Sequence, residues 1–133
     1  MGVLPSQSIS KLILKKIIFA DSNIETSQIQ PASLDLRLGN VAWRIRASFL
    51  TGKDKDVSDL LDEFKMHQID MMEGAVLEKG CVYLIPIEEN LNLPADLSAI
   101  ANAKSSTGRL DLLTRIIRSE ERRVGKECPL LCR

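Results

Sequence analysis

The stretch QIQPASLDLRLGNVAWRIRA, residues 28–47, carries the alternation that decides the fold. Leu34, Leu36 and Leu38 alternate with Ser33, Asp35 and Arg37. That period of two places apolar side chains on one face of a half-buried strand. Gly39-Asn40 reads as a two-residue turn. Val41, Trp43 and Ile45 then alternate with Arg44 and Arg46. The pattern predicts a β-hairpin, with Pro31 just ahead of its first strand, where a missing N–H does least harm.

Upstream, Ser6 is placed to cap a helix whose Ile9, Leu12, Ile13 and Ile17 fall on one face, with Lys11, Lys15 and Lys16 mainly on the solvated side. Downstream, FLTGKDKDVSD reads as an exposed loop, and Asp56 as the cap of a second helix carrying Val57, Leu60, Leu61 and Phe64. His67, just beyond it, has no chemical partner in the sequence and is read as structural. AVLEKGCVYLIPI is apolar on both sides of a Glu78-Lys79-Gly80 turn and predicts buried strands, with Pro86 on an edge or at a bulge. A further strand is expected over 97–103. The sum is a mainly β chain with two or three short helices, a sandwich or barrel.

The whole has 133 residues, 44% of them hydrophobic and 27% charged, which suits one domain with a real core. Its 18 basic and 18 acidic side chains cancel, so no global basic field exists to hold nucleic acid. Apolar runs of only a few residues fall far short of the ~20 a membrane helix needs. The first ten residues lack the basic-then-apolar order of a signal peptide. The cysteines Cys81, Cys128 and Cys132 contain no CxxC and support neither a disulfide framework nor a zinc site, which favours a reduced, cytoplasmic setting. Cys81, in an apolar run, is read as a small core residue.

Chemistry concentrates in NAKSSTGRLD, residues 102–111. After the expected strand, Ser105 or Ser106 would serve as the N-cap of a short helix. First-turn N–H groups attract anions, and hydroxyls add neutral donors. Lys104 adds a point charge, and Arg109 a planar fork able to hold two phosphate oxygens. Gly108 removes side-chain bulk where a ligand could approach. The order excludes a P-loop, because the lysine precedes the hydroxyls. A plain cap and turn remains the competing reading of the same residues.

LPSQSISKLI (4–13), QIQPASLDLRLGNVAWRIRASFL (28–50), GAVLEKGCVYLIPIEENLNLP (74–94) and ANAKSSTGRLDLLTRII (101–117) together resemble the N-terminal part of the bacterial dCTP deaminases, most closely the longer, two-part type. The resemblance implies a dUTPase-like β fold, of the β-clip kind, here incomplete. It implies hydrolytic deamination of dCTP to dUTP and ammonia by a homotrimer with sites shared between subunits, and dTTP as an inhibitor. The nucleotide would arrive as its Mg2+ complex, with no catalytic metal. The chain likewise lacks the H-x-E and P-C-x-x-C pattern of zinc deaminases. By the resemblance, Lys104, Ser105, Ser106, Thr107, Gly108 and Arg109 map onto the triphosphate-contacting segment. Ser105 and Arg109 also lie near the base and the reacting water, as catalytic residues. Asp35 is read as a carboxylate organising a strand pair or subunit contact rather than a catalytic one.

The resemblance stops at residue 117, which sets the domain reading: 1–117 as the N-terminal part of a dCTP deaminase domain, 118–133 as a non-family tail. RSEERRVGKEC, residues 118–128, looks like the translation of a sequencing-library adapter and is read as foreign to the natural protein. The tail holds five of the basic and three of the acidic groups, leaving 13 and 15 in the remainder. The family's general-base glutamate has no counterpart here, and Glu120, Glu121 and Glu127 are not candidates for it. The chain by itself is therefore expected to lack turnover and to fold poorly. The alternatives are a dUTP diphosphatase, a bifunctional deaminase-diphosphatase, or a non-catalytic nucleotide-binding module.

Overall fold

The computed structural model describes residues 2–51, 55–117 and 129–132, the last four as a backbone path only. Among these residues lie three α-helices, α1 (Ser6–Leu14), α2 (Val57–Phe64) and α3 (Ser105–Arg109), and a 3-10 turn at Thr26–Gln28. The strands are β1 (Ile18–Phe19), β2 (Val41–Ile45), β3 (Lys65–Asp70), β4 (Val82–Pro86), β5 (Asn90–Leu91), β6 (Thr114–Ile116) and β7 (Pro129–Cys132). They form a five-stranded sheet in the order β3-β2-β4-β7-β6 and a two-stranded sheet of β1 and β5, all pairs antiparallel. The mainly β architecture with short helices is the one expected from the sequence.

The large sheet is covered on both faces, and β4 explains why. Tyr83, Leu84 and Ile85 are all buried. Leu84 packs with Ile45, Phe49, Leu60 and Ile117 on one face, while Tyr83 and Ile85 pack with Ala42 on the other. A central strand reads as a continuous apolar run because each face has a layer to meet. α2 supplies part of the first layer through Leu60, with Val57, Leu61 and Phe64 beside it. Asp56 occupies its N-cap as expected, and its N–H donates to Asp59 Oδ2 at 3.1 Å. β3 runs along the sheet edge with largely exposed polar side chains, His67 among them, a composition that discourages further pairing.

The hairpin expected over 33–45 is half correct. β2 exists, but its partners are β3 and β4 rather than the preceding segment. Residues 33–38 make only the isolated bridges Ile29↔Leu34 and Leu38↔Ile87. Leu36 and Leu38 stay about 40% exposed. Gly39-Asn40 does not close a hairpin. Gly39 instead donates its N–H to Pro86 O at 2.8 Å, so close that a Cβ there would sit 3.1 Å from the Pro86 ring. Pro86 ends an interior strand and does not lie on the sheet edge.

Three further expectations change. Residues 97–103 form no strand, and Ile100 is 88% exposed: alternation without a neighbouring strand leaves no ladder to join. Only the second half of 75–87 is a strand, after a turn at Gly80 with φ of +77°. Pro5, not Ser6, is the N-cap of α1, its carbonyl accepting from Ser8 and Ile9. Cys81 is half-buried at the margin of the second core layer, with its Sγ 3.5 Å from Glu78 Oε2. Of the stretch read as foreign, 118–128 and 133 lie outside the described residues, and 129–132 run as β7 between β4 and β6.

Candidate functional site

α3 is the segment SSTGR, and the structure places Ser105, Ser106, Thr107, Gly108 and Arg109 on it in sequence. Lys104 takes the N-cap position, with φ −71° and ψ 135°, so neither serine caps the helix as expected. The cause is local: Lys104 O accepts from Thr107 N–H at 3.1 Å and from the Thr107 hydroxyl, so the turn closes one residue earlier. Thr107 therefore spends its hydroxyl proton inside the helix. Ser105 and Ser106, the first helical residues, keep N–H groups without an acceptor one turn back, the usual condition of a helix start. Among the described residues, the side chains of Ser105, Ser106 and Arg109 meet no hydrogen-bonding partner, and all three are exposed. Around Gly108, a Cβ would meet nothing within 4 Å, so this side of α3 is open.

α3 ends as abruptly as it begins. Leu112 N–H donates to Thr107 O and Asp111 N–H to Gly108 O, each at 3.1 Å, with Asp111 in the left-handed region at φ 61°. This is the bonding pattern of a Schellman close, with aspartate where glycine usually stands. It turns the chain from Arg109 straight into β6.

Lys104 is not free. Its Nζ lies 2.5 Å from Asp35 Oδ2, across 69 residues of sequence. That contact brings PASLDL and KSSTGR to one place. Asp35 lies outside the named strands but flanks the Ile29↔Leu34 antiparallel bridge, and its carboxylate reaches both Gln30 on the facing segment and the lysine. The same Oδ2 accepts from Gln30 Nε2 at 3.1 Å.

Behind these residues sits a polar network that sequence reading missed. Glu89 is 4% exposed, and its carboxylate accepts from Gln28 Nε2, Arg37 N–H and Arg37 Nε at 2.7, 2.8 and 2.9 Å. Arg37 Nη2 lies 3.2 Å from Glu88 Oε2, whose carboxylate also accepts from the Ser22 hydroxyl at 2.7 Å. Glu88-Glu89 inside a run of buried positions was the available signal, since a buried charge requires a partner.

One concavity lies elsewhere. A cleft of about 270 Å3 lies between the 78–81 turn, Tyr83 and residues 110–112, and none of 104–109 lines it. Among the described residues no group of three or more His, Cys, Asp or Glu side chains is placed to ligate a metal. No helix among them is long and apolar enough to cross a membrane.

The two-sheet architecture, with a hydroxyl-rich helical turn anchored to an aspartate segment, defines a protein of the dUTPase-like β class. Residues 1–127 match the family model described as the 2'-deoxycytidine 5'-triphosphate deaminase N-terminal domain, and the chain belongs to that family. The crystal structure of 2'-deoxycytidine 5'-triphosphate deaminase from Agrobacterium tumefaciens superposes with a TM-score of 0.90 at 43% identity, covering 98% of this chain and 42% of that one. A dCTP deaminase, dUMP-forming, from Persephonella marina is 34% identical over 110 residues, 83% of this chain and 59% of the relative. One from Methanobrevibacter smithii is 28% identical over 113 residues, 83% of this chain and 57% of the relative. The chain thus spans less than two thirds of the length of these relatives.

Proposed function

We propose that the protein containing this chain deaminates dCTP, and that Lys104, Ser105, Ser106, Thr107, Gly108 and Arg109 hold the triphosphate. The observation that carries this reading is the start of α3. Two exposed hydroxyls, an unpartnered guanidinium and an ammonium held by Asp35 occur within six residues of one family-matched segment. The nucleotide enters as its Mg2+ complex, the ion belonging to the substrate.

The chemistry is addition of water to C4 of the cytosine ring, then loss of ammonia, giving dUTP. Attack on C4 builds a tetrahedral centre, and fixed donors stabilise the charge that develops there. Ser105 and Arg109 are the groups of this chain assigned to that role. A general base must take a proton from the water and deliver it to the leaving nitrogen. Asp35 is committed to Lys104 and Gln30 and is not assigned that task.

Magnitudes support a composite site. A hydrogen bond to a charged group contributes about 1.5–3 kcal/mol, and micromolar affinity requires about 8 kcal/mol beyond the entropic cost of association. Two hydroxyls, one arginine and one partly neutralised lysine on an open surface fall near or below that sum. A homotrimer with sites shared between subunits supplies the remaining groups, and dTTP fits the same cradle as an inhibitor because it carries the same triphosphate.

A second reading is bifunctional: deamination followed by hydrolysis of dUTP to dUMP and pyrophosphate. Its support is that the relatives from Methanobrevibacter smithii and Persephonella marina are dCTP deaminases of the dUMP-forming kind. Incubating Mg·dCTP with the gene product that contains this chain, and measuring ammonia and nucleotides by chromatography, separates the readings. Ammonia with dUTP supports the deaminase, and ammonia with dUMP and pyrophosphate supports the bifunctional enzyme. Tight dCTP binding with no ammonia would contradict both and leave a nucleotide-binding module.

A further inference from the structure

Gln28 belongs to a buried polar network that shares Asp35 with the candidate site. It is 7% exposed, and every polar group on its side chain is used. Its Nε2 donates to Glu89 Oε1 at 2.7 Å and to Asp35 O at 3.0 Å, and its Oε1 accepts from Glu25 N–H at 2.9 Å. Its main-chain carbonyl accepts from Asp35 N–H at 2.8 Å. Both backbone polar groups of Asp35 therefore end on Gln28. Asp35 has no strand ladder to hold it, and Gln28 does for it what a neighbouring strand does elsewhere. Glu89, its side chain fully buried and paired with Arg37, fixes the amide in turn.

We propose that Gln28 is a positioning residue for Lys104, acting through Asp35. A lysine ammonium sits on a flexible four-carbon stem with many rotamers. Lys104 keeps its place at the start of α3 because one carboxylate oxygen waits for it, and that oxygen is held by a backbone locked to Gln28. The relay Glu89–Gln28–Asp35–Lys104 thus links the buried interior to an exposed cation. The inference rests on the reading of 104–109 as a polyphosphate site for its purpose, and on the contacts alone for its existence.

The test is competitive acylation of the gene product that contains this chain with limiting acetic anhydride, read at each lysine by peptide mass spectrometry. Lys65, paired with Asp62 outside the network, is the internal reference. Gln28→Leu keeps the buried volume and the Asp35 N–H bond while removing the side-chain amide. It is expected to raise the Lys104 rate relative to Lys65 about two- to five-fold, the range that release of an exposed ion pair allows. With Asp35→Asn already in place, Gln28→Leu should add nothing. An unchanged ratio, a parallel rise at Lys104 and Lys65, or a full further rise on top of Asp35→Asn would each overturn the relay. Inorganic tripolyphosphate provides a separate arm on the unsubstituted protein. Protection of Lys104 supports the polyphosphate reading, and a Gln28 effect without that protection leaves the relay standing while the reading falls.

Discussion

At the scale of single residues, close approach and charge pairing set the outcomes. Gly39 faces the Pro86 ring and carbonyl at distances that a methyl would crowd, at 3.1 and 3.3 Å, and β4 holds Pro86 in place. Gly39→Ala should destabilise the fold by about 1–3 kcal/mol, the usual cost of overpacking, read as a lower urea midpoint. The sequence marked Gly39 as a turn residue, and its actual reason, a backbone contact with a residue 47 positions later, has no local signature. Lys104 to Arg109 were legible because hydroxyls and cations packed into six residues are conspicuous. Their anchor was not: Asp35 sits in a pattern that reads as a strand, and only the tertiary contact shows that its carboxylate serves the lysine.

Elements were readable where their side chains meet a layer within this chain. α2 obeyed its spacing because Leu60 faces the core, and β2 obeyed its alternation because strands flank it on both sides. Residues 97–103 carry a comparable pattern and form no strand, because periodicity describes a face and not the neighbour that would cover it. Helix ends were the least legible feature. α1 closes like α3, with Ile17 N–H donating to Leu12 O and Lys16 N–H to Ile13 O, and Lys16 at φ 55°. Both left-handed positions lack the glycine that announces such a close. Lys16→Gly should therefore stabilise by up to about 1 kcal/mol, the strain of the left-handed conformation less the entropy glycine adds. Thermal denaturation would show it as a higher midpoint, whereas Lys15→Gly, at the C-cap with an ordinary negative φ, should lower it.

For the whole molecule, a charged network is built into the interior beside two apolar core layers. Removing one partner of a buried ion pair costs about 3–5 kcal/mol, a large part of the 5–15 kcal/mol typical of a domain. Glu89→Ala removes the buried acceptor shared by Gln28 and Arg37, but Arg37 keeps Glu88 and Gln28 keeps Asp35 O, so it is expected to lower unfolding free energy by less than that, about 1–3 kcal/mol, in urea titration. A loss below about 1 kcal/mol would show that water replaces the carboxylate. The same network supports the surface at which the triphosphate is proposed to bind, so stability and binding meet at Asp35. The most direct measurement of that claim is calorimetric titration of Mg·dCTP into the gene product that contains this chain, with and without Arg109→Ala. The account predicts a loss of about ten- to a hundred-fold in affinity, the equivalent of one charged hydrogen-bonding group. Equal affinity of the two proteins would contradict it.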